Sequence, residues 1–145
     1  MKKLLALALV SILSLSLTQA AEGWLTNYAD ALSQAKSEKQ LVLLDFTGSD
    51  WCPPCMMLEK QTLSQKEFSD FVEGKVVLVS LDFPRTKEIS ASLKAQNEKL
   101  ASKYNIEGFP TLVLLDSEGK ELARHVGFLP GGPKALISWI NENKG

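Results

Sequence analysis

The stretch DFTGSDWCPPCMMLEK, Asp45 to Lys60, carries both cysteines of the chain, Cys52 and Cys55, with only Pro53 and Pro54 between them. Such a pair can be a structural disulfide, half of a metal site, or a reactive dithiol that passes electrons. A crosslink that closes a four-residue ring constrains the unfolded chain very little, because the entropic benefit grows with loop length. A metal site needs two further ligands, and the only histidine, His125, falls in a predicted last strand where a partly exposed strand residue is the simpler reading. The dithiol is better placed for chemistry. Pro53 and Pro54 fit the first turn of a helix, where their missing N–H groups would be unpaired anyway, and a helix is predicted from about Cys52 to Leu63. The positive end of that helix and its free N–H groups lower the pKa of a thiol placed there. Cys52 gains most and is the expected nucleophile. Cys55, one turn further in, is the expected resolving thiol, and the two prolines stiffen the link.

Resolution needs a base near Cys55, and two carboxylates qualify. Asp45 ends an apolar strand on a face that should be dry, where an unpaired carboxylate is costly. Burial raises its pKa toward neutrality, which suits proton transfer with Cys55. The alternative is a turn or capping residue at the strand end, because Asp is depleted in strands and favoured in turns. Glu59 follows Cys55 by one helical turn on the same face and could share the task, or be a solvated helix residue. Further along, Pro110 in IEGFPTLVLL precedes an apolar strand, where it can be trans at the strand's first residue or cis. A cis bond would turn the backbone of Phe109 outward, leaving its N–H and C=O for an extended substrate.

Working outward, LVLLDF puts Val42, Leu44 and Phe46 on one face and Leu41 and Leu43 on the other, the pattern of a strand covered by helices on both sides. Before it, Leu25, Tyr28, Ala29, Leu32 and Ala35 fall at helical spacing. After the dithiol helix, Ser64 to Glu67 has the form of a capping box that would start a short helix carrying Phe68, Phe71 and Val72 inward. KVVLVSLDF is a second buried strand, and Thr86 to Tyr104 reads as a longer helix marked by Ile89, Leu93, Leu100 and Tyr104. GFPTLVLLDSEGKELARHVGF reads as two strands joined at Asp116 to Gly119, an antiparallel hairpin. A last helix starts at Pro133, with Leu136, Ile137 and Ile140 on its apolar face. The expected class is α/β, with parallel strands first and the hairpin last.

The 145 residues, 45% hydrophobic and 23% charged, suit one globular domain with a single core. A net charge of −1 without basic patches argues against nucleic acid as a partner. The first twenty residues stand apart. Two lysines, an apolar run from Leu4 to Leu17 and the small-residue end Thr18-Gln19-Ala20 read as a secretory signal peptide cleaved after Ala20, or else after Ala21. The run is shorter than the roughly 20 residues a membrane span needs. An uncleaved N-terminal anchor is the alternative, and no cysteine follows that could carry a lipid. The expected organisation is a leader over residues 1–20 and one domain over residues 21–145. Export implies an oxidising compartment.

WCPPC after a buried LLDF strand, GFPT before a LVLLD strand, a polar turn, and VGF before the last helix together resemble the thioredoxin superfamily, over about Trp24 to Asn143. Within it, LLDFTGSDWCPPCMMLEKQTLS is more similar to the C-terminal domain of the periplasmic thiol:disulfide interchange reductase and to secreted single-domain relatives than to cytosolic thioredoxin. The resemblance implies the thioredoxin fold, a central mixed sheet flanked by helices, here with an N-terminal helix and a lengthened helix before the cis-proline strand. It implies Cys52 as nucleophile, Cys55 as resolving thiol, Asp45 and Glu59 as the nearby acids, Pro110 as the cis-proline and Trp51 flanking the site. Pro53, Pro54 and Phe109 complete the expected substrate-facing surface. There are departures. Asp45 and Cys52 are seven positions apart, one more than in thioredoxin, which would move Asp45 away from Cys55. Met56 replaces a basic residue, and Leu78 stands where thioredoxin has a lysine partner for its buried aspartate. The segment from Phe83 to Glu98 is longer than in thioredoxin and would form a recognition surface.

These features predict a monomeric, periplasmic or secreted thiol–disulfide oxidoreductase with no cofactor beyond the Cys52–Cys55 disulfide. A histidine between the cysteines is the mark of many strong oxidases, and its absence favours reduction or exchange of disulfides in exported proteins, with a membrane electron donor to recharge the dithiol. A dithiol oxidase, and a binding module that uses Phe109 and the Met56–Met57 surface without redox turnover, are the competing readings.

Overall fold

The computed structural model of the protein describes residues 23–145, and the expected leader over residues 1–20 lies outside them. The elements run β1 (Trp24–Leu25), α1 (Tyr28–Glu38), β2 (Leu41–Thr47), α2 (Pro53–Leu58), a π-helical turn (Glu59–Leu63), α3 (Lys66–Val72), β3 (Val76–Asp82), α4 (Ala91–Lys103), β4 (Thr111–Leu115), β5 (Glu121–Val126) and α5 (Gly132–Asn143). The strands form one sheet in the order β1-β3-β2-β4-β5. β1 and β2 lie parallel to β3, while β4 is antiparallel to β2 and β5 to β4. This is the expected thioredoxin fold, with the hairpin at the end of the chain.

The two apolar faces of β2 explain the layering. Val42, Leu44 and Phe46 pack with Ala31 and Ala35 of α1 and Leu100 and Tyr104 at the α4 end. Leu43 packs with Leu58, Leu63, Phe68, Leu136 and Ile140 on the opposite side. A side-chain period of two sends alternate residues to opposite faces, so Asp45 shares the Leu43 side, above the dithiol helix. No helix among the described residues is long and apolar enough to cross a membrane.

Several local expectations are corrected. Leu25 belongs to β1, an unforeseen strand, and Asn27 starts α1 by accepting the Asp30 N–H at 3.0 Å. The helix stripe therefore runs through Tyr28, Ala31, Leu32 and Ala35, leaving Ala29 exposed. The helix after the cysteines is α-helical only to Leu58. Beyond it the Ser64 N–H and hydroxyl both donate to Glu59 O, at 2.9 and 2.8 Å, closing a wider π turn. That hydroxyl is thereby taken from the expected capping box, and Gln65, without a side-chain cap bond, precedes α3 instead. The helix expected from Thr86 starts only at Ala91, capped by the Ser90 hydroxyl. The N–H groups of Arg85, Thr86 and Lys87 are held by the Asp50 carboxylate at 2.8–2.9 Å, which keeps them out of a helix.

Candidate active site

Cys52 is the N-cap of α2, in extended conformation, with the two prolines in the first turn as their ring geometry favours. Cys52 and Cys55 are joined as a disulfide, with a Cα–Cα distance of 5.2 Å. Exposure does not separate them in this oxidised state, since Cys52 is 4% and Cys55 3% exposed. Their surroundings do. Cys52 Sγ lies 3.7 Å from the Phe109 carbonyl oxygen. Without a hydrogen on the disulfide sulfur this is a contact, and it becomes a weak hydrogen bond only in the dithiol. Cys55 Sγ instead accepts the Gly48 N–H at 3.5 Å, a donor that favours negative charge on this sulfur.

The Phe109–Pro110 bond is cis. The Phe109 N–H and C=O make no backbone hydrogen bond among the described residues, and the C=O faces Cys52. An aromatic wall stands beside them. Trp51 meets Phe109 edge to face at 6.0 Å, Phe83 lies 5.1 Å from Phe109, and Trp51 Nε1–H donates to Phe83 O at 2.7 Å. The indole also explains Gly48, because a Cβ there would lie 2.5 Å from Trp51 Cε2.

Asp45 is not a turn residue. It sits inside β2, in register with Ser80 and Leu112, and is buried with Oδ1 unpartnered. A cavity of about 680 Å³ opens beside it, lined also by Cys55, Glu59, Asp82 and Lys87. The extra residue between Asp45 and Cys52 therefore leaves Asp45 and Cys55 on one cavity. Burial, then the charges of Glu59 and Asp82, push the Asp45 carboxyl up to about 8. Leu78 pairs with Leu43 in the apolar core and offers no cation. Lys87 on the cavity wall is bound instead to Asp82 at 2.9 Å. Glu59, exposed at the cavity rim, is itself shifted upward by partial burial. Met56 and Met57 are each 43% exposed, and Met56 lines the same cavity.

The expected site residues are thus gathered at one end of the sheet. Three others, Gly48, Asp50 and Asp82, were not foreseen. Asp82 shows a signal in retrospect, as an acid at the end of a parallel strand that pairs with Thr47 next to the loop of the site. Among the described residues no group of three or more His, Cys, Asp or Glu is placed to hold a metal. His125 lies in β5, half-buried, as expected.

A disulfide at a helix N-terminus, facing a cis-proline loop on this sheet, defines a class that the comparisons identify. Residues 28–142 match the thioredoxin-like domain family. The chain is 40% identical over 116 residues to the disulfide bond reductase DsbH of Chlamydia pneumoniae, covering 80% of this chain and 69% of that one. A solved structure of a DsbH oxidoreductase superposes with a TM-score of 0.76 at 36% identity, over 88% of this chain and 91% of that one. The thiol:disulfide interchange protein DsbD of Actinobacillus pleuropneumoniae is 32% identical over 108 residues, which are 73% of this chain and 17% of that longer protein. The chain belongs to the thioredoxin-like family. It is a thiol–disulfide oxidoreductase whose CxxC disulfide is Cys52–Cys55.

Proposed function

We propose that the protein is a reductase that passes two electrons from its Cys52/Cys55 dithiol to disulfides of exported proteins. The Cys52 thiolate attacks one substrate sulfur, the substrate S–S bond breaks, and the departing sulfur takes up a proton. Cys55 then attacks Cys52 Sγ, the mixed disulfide breaks, and the second substrate sulfur leaves as a thiol. The protein ends as the Cys52–Cys55 disulfide, and a dithiol donor must reduce it again. The Phe109 backbone pairs with the substrate strand, while Trp51, Pro53, Pro54 and the cis Pro110 shape the surface around Cys52.

The observation that carries this reading is the buried, unpartnered Asp45 on the cavity it shares with Cys55. A carboxyl near 8 is matched to a thiol of about 8.5, so a proton moves between them with little driving force lost. Asp45, which holds a proton at neutral pH, first releases it to solvent, then takes the Cys55 proton during resolution and returns it when the disulfide is reduced. Glu59, at the rim, links Asp45 to solvent, and the Gly48 N–H stabilises the Cys55 thiolate. Reduction rather than oxidation is supported by the prolines between the cysteines and by the 40% identical relative described as a disulfide bond reductase. The leader-like residues 1–20 support export, and hence a membrane electron donor.

The test is trapping. With the reduced protein and a disulfide-bonded protein such as insulin, Cys55→Ser should accumulate a mixed disulfide through Cys52, Cys52→Ser should accumulate none, and only the native pair should turn over with dithiothreitol. Unchanged binding of insulin by both variants, with no turnover by the native protein, would instead mark a binding module.

A further inference from the structure

The segment after β3 reaches back over the site, held at Phe83 by the Trp51 indole and at residues 85–87 by Asp50. The Asp50 carboxylate accepts the N–H groups of Arg85, Thr86 and Lys87 at 2.9, 2.8 and 2.9 Å and the Thr86 hydroxyl at 2.6 Å. These bonds hold the Asp50 carboxyl well below the usual carboxylate range. The clamp fixes the backbone of Arg85, and its guanidinium lies 3.7 Å above the Trp51 ring.

Trp51 immediately precedes Cys52 and packs on Phe109, whose backbone groups are free for an incoming strand. Arg85 is exposed, and among the described residues its side chain has no hydrogen-bond acceptor and no ion-pair partner. The two aspartates beside the segment are already engaged. Asp50 spends both oxygens on the clamp, and Asp82 is bonded to the Ser49 N–H and hydroxyl and to Lys87. Arg124, by contrast, shows what a satisfied arginine looks like here, forked onto Glu121. A guanidinium stacked on an indole keeps its N–H edges available and loses little further freedom when it binds a carboxylate.

Resting on the reductase reading, we propose that Arg85 is a substrate-recognition residue: it selects polypeptides that carry an Asp or Glu side chain close to the disulfide presented to Cys52. The partner is an acidic-flanked, extended segment lying along Phe109, with its carboxylate forked onto the Arg85 guanidinium.

The experiment uses the reduced full-length protein and three probes: bis(2-hydroxyethyl) disulfide, and two synthetic peptides of equal length, each with one disulfide, flanked by Asp in one and by Lys in the other. The measured quantity is the ratio of second-order rate constants, acidic over basic. The wild type should prefer the acidic peptide by about two- to fivefold at low salt, the range of an exposed charge pair, and the ratio should fall toward one as salt is added. Arg85→Gln should bring the ratio close to one, and Arg85→Glu should take it below one. A wild-type ratio of one, or a ratio that Arg85→Glu leaves unchanged, overturns the proposal while the reductase reading stands. Failure of the wild type to reduce the neutral small disulfide overturns the reductase reading, and this inference with it.

Discussion

Replacing Asp45 by asparagine tests whether the buried carboxyl is protonated around neutrality. In the unfolded chain this carboxyl titrates near 3.8, and in the fold burial first, then Glu59 and Asp82, raise it to about 8. Between those values the native state binds one more proton than the unfolded state. Stability must therefore fall as pH rises, by about 1.4 kcal/mol per pH unit. Stability is fully present below about pH 4 and its loss is complete only above pH 8. From pH 5 to pH 7 this amounts to about 3 kcal/mol, a large share of the 5–15 kcal/mol typical of a domain. The asparagine side chain has a similar shape and cannot ionise, so the Asp45→Asn variant should lack this slope. Both proteins carry Glu59, Asp50 and every other titrating group, and the difference between them isolates position 45. Urea unfolding of the oxidised proteins at pH 5, 6, 7 and 8 measures it. The variant's advantage over the wild type should grow by about 4 kcal/mol between pH 5 and pH 8. A difference that does not change between pH 5 and pH 8 would refute a raised Asp45 and would mean a carboxylate already ionised in the fold.

Gly48→Ala brings a Cβ to 2.5 Å from Trp51 Cε2. The indole must leave Phe83 and Phe109, costing about 1–3 kcal/mol as overpacking does, and thermal unfolding with tryptophan fluorescence will report both effects. Asp50→Ala removes the acceptor of four hydrogen bonds from residues 85–87. Trypsin should then cut after Arg85 several-fold faster than in the wild type, and an unchanged cleavage rate would show that the clamp does not hold the segment.

Most of the frame was legible from residue order. The two-faced LVLLDF strand, the prolines after Cys52 and the GFPT strand start each depend on local rules, and each stands in the structure where those rules place it. The structure departs from those rules where a side chain bonds beyond its own element. Ser64 looked like a cap for α3 but serves the π turn behind it. Thr86 looked helical, yet Asp50, 36 residues earlier, captures its N–H. β1 is two residues long, and only its pairing with Leu78 and Val79 makes it a strand. In the site, the cysteines, Asp45 and Phe109-Pro110 could be named in advance because each breaks a local expectation. Gly48, Asp50 and Arg85 do not, and their roles exist only once the loop after β3 folds over Trp51.

The central claim, that the dithiol gives electrons rather than takes them, is tested most directly by the equilibrium reduction potential of Cys52–Cys55, read by alkylation of the oxidised and reduced forms in defined thiol buffers. A value near that of thioredoxin, about −270 mV, is expected. A value near about −120 mV, that of a strong oxidase, would contradict it.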